Sequence, residues 1–230
     1  MGAFFVGNTA PDVQVISGQT RTATHFFAVP IPEDAEVPWE KMLSTYPHIL
    51  LSGELDETQA VFISGYLCHL QADWIWVKEI FEPIFGPRQN WSTFSQRIYW
   101  HNILRAYLDV EVLKVLPVEG ILEIDPIEPQ NWLPLISDQD LETWWKYIRE
   151  QLTPGKHIKT FEVFAARQGT NVGEFQAMLE SEEGMQKNIF SHITLQQLED
   201  YRNQVVEKNT KILKQFLGPR IASDPEAVIQ

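Results

Sequence analysis

Residues 61–81, VFISGYLCHLQADWIWVKEIF, constrain the fold of this chain more than any other stretch. The run is rich in apolar and aromatic side chains, yet it carries His69 and Asp73 four residues apart. On a helix that spacing puts both groups on one face, one turn apart, where an imidazole nitrogen and a carboxylate oxygen converge on a point between them. A metal ion fits such a point. Gly65 lies on the same face one turn earlier, leaving room for the ion or for a neighbouring backbone. The competing reading is a buried His–Asp hydrogen bond that satisfies two core polar groups. Taken alone the pair leans to that second reading, because helical H-x-x-x-D is common by chance.

At 230 residues, 44% of them hydrophobic, the chain suits one folded domain. Its formal net charge of −13 works against nucleic acid and anionic membrane as partners unless metal ions bridge the contact. A single cysteine, Cys68, excludes a disulfide framework and a cysteine-based zinc motif. His69, Gln71 and Asp73 interrupt the best apolar run, so no membrane span and no stable insertion are expected. MGAFFVGN lacks the basic leader of a signal peptide, and Val6 stands where a lipidation motif needs serine or threonine. A cytoplasmic location is the resulting expectation.

Residues 7–21 carry Pro11, two glycines and small polar residues, a pattern that reads as an ordered loop presenting Asp12. A turn aspartate bonded to nearby amides is the plainer alternative. His25 follows between Thr24 and the aromatic pair Phe26-Phe27. The proline-rich stretch 30–47 reads as a connection with a short helical piece near 39–46, and His48 as surface. Asp56 is placed as the N-cap of the long helix, with Gln59 in the capping-box position, and Pro83 or Gly86 as its end. Ser92-Thr93 opens a second helix over 93–116 with a buried stripe of Ile98, Leu104, Leu108 and Leu113, closed by Pro117.

On that second helix His101, Arg105 and Asp109 recur at four-residue steps, a potential ligand, a cation and a carboxylate along one line. After a proline-rich junction at 126–134 the pattern is helical over 138–152, 158–168, 172–179 and 195–217, where Gly218-Pro219 reads as a stop. His157 and His192 fall near helix boundaries and are left outside the site. No long alternating strand pattern or internal repeat appears. The expected fold is mainly α, a helical bundle with a metal site in its core. It is read as one all-α domain, 1–230, with a metal-site half at 1–116 and additional helices at 135–217.

Three short motifs reinforce one another: A-P-D at 10–12, T-H-F at 24–26 and G-Y-L-C-H-L-x-A-D at 65–73. Together they resemble the bacterial zinc-dependent phospholipase C family, whose helical fold is shared with zinc nucleases. The resemblance covers roughly the first half of the chain. It implies a zinc site of Asp12, His25, His69 and Asp73, and those donor types suit zinc. One zinc ion is expected and a second is possible. The family's second-site H-x-x-x-E is absent, leaving Glu79, His101 and Asp109 as substitutes. An amino-terminal tryptophan and an early histidine are also missing, which suggests a start part-way into the family's architecture.

The activity implied is hydrolysis of phosphoric mono- or diesters by zinc-activated water, with Asp12 or Asp109 orienting the water and Arg105 holding phosphate. The expected substrate is a small phosphoester or a lipid headgroup, and the oligomeric state is left open. A scaffold or binding protein with one structural zinc is the alternative from another class. A zinc nuclease is a third reading, against which the acidic charge counts.

Overall fold

The computed structural model describes residues 2–50, 55–116, 128–153 and 159–223. Regular structure among them is helical, apart from an isolated bridge between Leu133 and Ile136. Pro117, Pro126 and His157 lie outside the described residues. The chain divides into two compact units, one of Met1–Val77, Ile124–Tyr147 and Arg202–Gln230, the other of Lys78–Glu123 and Ile148–Tyr201. Each is assembled from segments far apart in sequence, an arrangement that a reading along the chain does not bring together.

The first unit is built around helix α5, Glu57–Trp76. Asp56 caps it, its carboxylate accepting from the Gln59 backbone N–H at 2.7 Å. The Gln59 side chain does not close a capping box but donates to the Trp132 carbonyl at 3.0 Å. Phe62, Ile63, Tyr66, Leu67, Leu70 and Ile75 are all essentially out of water, and they point in several directions around the axis. A helix apolar on nearly every side has no solvent face to turn outward and becomes the centre of its unit.

Helix α1, Gly2–Thr9, packs directly on α5. A Cβ placed on Gly65 would stand 2.2 Å from the Phe4 carbonyl oxygen, and one on Gly7 would stand 1.9 Å from the Phe62 carbonyl oxygen. Two glycines, one on each helix, therefore let backbone meet backbone. The room at Gly65 is taken by neighbouring backbone, not by an ion.

Residues 7–21 are not a loop. They complete α1 and continue through a 3₁₀ turn, Ala10–Val13, and α2, Gln14–Ser17, into α3, Arg21–His25. Pro11 sits in the first turn of the 3₁₀ segment, where no backbone N–H is needed, so it starts the turn and does not break it. Thr20 caps α3. Helix α4, Pro38–Thr45, packs on α5 through Trp39, whose Nε1 donates to the Gln71 side-chain oxygen at 2.8 Å.

Beyond α5 the chain makes a π turn, Val77–Phe81, and the short helix α6, Glu82–Phe85, which Gly86 ends. Helix α7, Phe94–Leu113, starts at the Thr93 cap and buries Trp100, Ile103, Leu104 and Ala106; of the expected stripe only Leu104 is fully buried. There follow α8, Asp138–Leu152, α9, Lys159–Gln168, α10, Val172–Glu180, α11, Glu182–Met185, a second π turn, Gln186–Phe190, and α12, Leu195–Ser223. Helix α12 runs through Gly218-Pro219 rather than stopping there. Its buried Ile212 and Phe216 hold the preceding turns, so packing outweighs the local stop signal.

Candidate metal centre

Asp12, His25 and His69 come together in the first unit. One donor atom from each lies within 4.8 Å of the other two. His25 Nε2 is 3.3 Å from His69 Nε2, 3.6 Å from Asp12 Oδ1 and 3.4 Å from Asp73 Oδ2. Asp73 Oδ2 is 4.0 Å from His69 Nε2. Donors at zinc distance from one tetrahedral centre stand about 3.3–3.4 Å apart. Three of these four separations are close to that spacing.

What presents these atoms to one another is a set of main-chain and hydroxyl contacts. His69 Nδ1–H donates to the Asn8 carbonyl at 2.7 Å. The α1–α5 crossing at Gly65, one turn before His69, brings Asn8 that close. His25 Nδ1 lies 2.9 Å from Thr24 Oγ1, whose hydroxyl donates to the Arg21 carbonyl at 3.2 Å. With its one proton used there, Thr24 Oγ1 accepts from His25 Nδ1–H. Helix α3 is itself held to α5 by the buried Tyr66, whose hydroxyl donates to the Thr24 carbonyl at 2.6 Å.

With the single proton of each neutral ring assigned to Nδ1 by these contacts, an Nε2 lone pair is left on each ring, facing the other. Two facing lone pairs at 3.3 Å repel unless a cation stands near both. A ring N–H tied to a carbonyl or hydroxyl, with the other nitrogen left as donor, is also how metal-binding histidines are oriented. Burial, and then the neighbouring His69, push the His25 pKa down to about 4 against the pull of Asp73, so this ring is neutral at pH 7. The donor set therefore fits a divalent ion, with Asp12, His25 and His69 as its holders and Asp73 as the adjoining carboxylate.

His25 is 1% exposed and His69 14%, whereas Asp12 is 39% exposed and forms the open side. Phe26, next to His25, has a left-handed backbone with φ 64°, an uncommon state for a bulky residue. Its ring packs edge-on to Tyr46 at 6.3 Å. Strain beside a candidate ligand is the usual company of functional sites.

The other candidates belong to the second unit. Glu79 is exposed in the first π turn, and His101 packs against the rings of Phe81 and Phe85 at 4.8 and 5.2 Å. Arg105 lies over the Phe164 ring at 5.0 Å, and Asp109 is exposed on α7. His192 is exposed against Trp91, and His48 against Tyr46.

Two participants escape a reading of the sequence. Asn8 contributes through its main chain, which no residue type announces. Arg21 donates from Nη2 to Asp73 Oδ2 at 2.5 Å, a contact between residues 52 apart in sequence. Comparison with family models, curated proteins and solved structures finds no match for this chain.

Proposed function

We propose that the chain is a metal-dependent hydrolase of phosphoric esters, of the phospholipase C kind, with zinc held by Asp12, His25 and His69. The observation that carries this reading is the approach of His25 Nε2, buried, and His69 Nε2, half-buried, to 3.3 Å beside two carboxylates. The resemblance of the A-P-D, T-H-F and H-x-x-x-D motifs to that family supports zinc and the ester class. When bound, the ion supplies Lewis acidity toward a phosphoryl oxygen and toward water.

The chain's own residues do the rest. Asn8 and Thr24 fix the tautomers, so that both imidazoles keep a donor atom toward the centre. Asp12, the most exposed of the donors, is placed to orient an attacking water and take its proton. The substrate is a small phosphoester or lipid headgroup, since a net charge of −13 repels a polyanion. The test is hydrolysis of bis(p-nitrophenyl) phosphate and of glycerophosphodiesters by zinc-loaded protein. Turnover that stops on chelation and returns with zinc supports the proposal; a metal-loaded, folded protein inactive over the panel overturns it.

A structural zinc is the second reading, and Asp73 favours it. Standing 3.4 Å from His25 Nε2 and 4.0 Å from His69 Nε2, it is available as a fourth donor, and a closed four-donor shell is the mark of a structural site. One tightly bound ion, with no turnover and a large loss of stability on chelation, selects it.

A further inference from the structure

Arg21 is a cationic side chain that touches the candidate donors. Its Nη2 donates to Asp73 Oδ2, the same oxygen that faces His25 Nε2. The contact is one-armed. Nη1, shielded from water, has no hydrogen-bond partner. A guanidinium carries a fork of donors matched to two oxygens of one anion, and here half of that fork is unused. The Arg21 Cζ lies 4.6 Å from the centre of the Phe27 ring, a cation–π contact that supports the charged group. Both Arg21 and Asp73 are 33% exposed, unlike His25, so a rotation of the guanidinium is enough to bring the shielded Nη1 to a solute.

Charge counting gives the pair a purpose. Asp12 and Asp73 bring two negative charges, Arg21 one positive, and both histidines are counted neutral. One divalent ion then leaves the centre at +1, which a monoanionic phosphodiester neutralises. A second divalent ion would raise it to +3 in a partly buried site, which is costly. We propose that Arg21 stands in for a second metal ion: it pairs with Asp73 at rest and turns its free arm to a phosphate oxygen of the substrate.

This inference rests on the metal-centre reading above, and its test keeps the two apart. The probe is inorganic phosphate, titrated calorimetrically into chelated and zinc-loaded protein, with metal content measured on each sample. In chelated protein Asp73→Asn frees Arg21 and removes a competing carboxylate, so phosphate should bind about ten-fold tighter than to the parent. The double variant Arg21→Met with Asp73→Asn, which leaves no orphan charge and so guards against misfolding, should lose that gain. In zinc-loaded protein Arg21→Met should weaken phosphate by about ten-fold or more at unchanged metal content, with Arg21→Lys recovering part of the loss.

A gain that persists in the double variant, no gain in Asp73→Asn, or phosphate affinity indifferent to Arg21 at equal zinc content overturns the proposal. Failure of the parent to bind zinc is the failure of the metal reading, and the chelated arm then still decides the role of Arg21. Glycerophosphocholine in place of phosphate separates the two sources of the anion. Tighter Arg21-dependent binding of the diester assigns the site to headgroup esters, and tighter binding of phosphate to free phosphate or monoesters.

Discussion

His25 is the residue on which the centre turns, because its Nε2 is the atom that the three other donors all approach. Its titration sets a pH dependence of known sign. In the unfolded chain the ring takes a proton near pH 6.5, and in the folded protein only near pH 4. Between those values the unfolded state binds a proton that the folded state refuses. Chelated protein should therefore be fully stable with respect to this group above pH 6.5 and lose about 3 kcal/mol as pH falls toward 4, with no further loss below. Urea melts of the parent and of His25→Gln across that range check it, since the variant should lack this part of the slope. His69→Ala should lose both bound zinc and the rise in Tm that zinc gives the parent; equal zinc content in the two would refute the site. Cys68, buried on the same helix, has its thiol pushed up to about 12 by burial. Iodoacetamide at pH 8 should leave it unlabelled in folded protein and label it quickly in urea.

At the scale of elements, the α1–α5 crossing decides whether the centre forms. Gly65→Ala drives a methyl group into the Phe4 carbonyl, and Gly7→Ala does the same from the other side at Phe62. Both contacts are backbone and cannot swing aside, so each variant should cost about 3 kcal/mol in urea unfolding. Gly65→Ala should also weaken zinc binding, because it moves Asn8 away from His69. An alanine variant as stable as the parent and with unchanged zinc affinity would remove the crossing from the argument. The same crossing explains what was legible in the sequence. Asp12, His25, His69 and Asp73 stand in short motifs whose spacing is local, and Asp56 and Thr93 are caps that speak for themselves. Residues 2–9 look like a poor helix and are helical because α5 holds them, a cause outside their own window. Asn8 and Arg21 join the site by the same long-range route, and so neither is visible from its neighbours in sequence.

At the scale of the whole molecule, the charge of −13 spreads repulsion over the surface and so limits what approaches the centre. Association with duplex DNA should be undetectable at 150 mM salt, and a gel-shift or fluorescence-anisotropy titration checks it. The first unit also has an order in time. All four donors lie within residues 12–73, yet the helix that carries His69 is packed partly by α12, whose Asn209 side chain donates to the Cys68 carbonyl at 3.2 Å. On a ribosome adding about 5–20 residues per second, His69 leaves the exit tunnel on the order of ten seconds before Asn209. Throughout that interval the nascent chain displays two histidines and two aspartates without the helix that later packs behind them. The donors are then offered to any cellular cation before the fold can hold them at fixed spacing. A cation taken up at that stage would be set by the supply around the ribosome as well as by the geometry of the completed site.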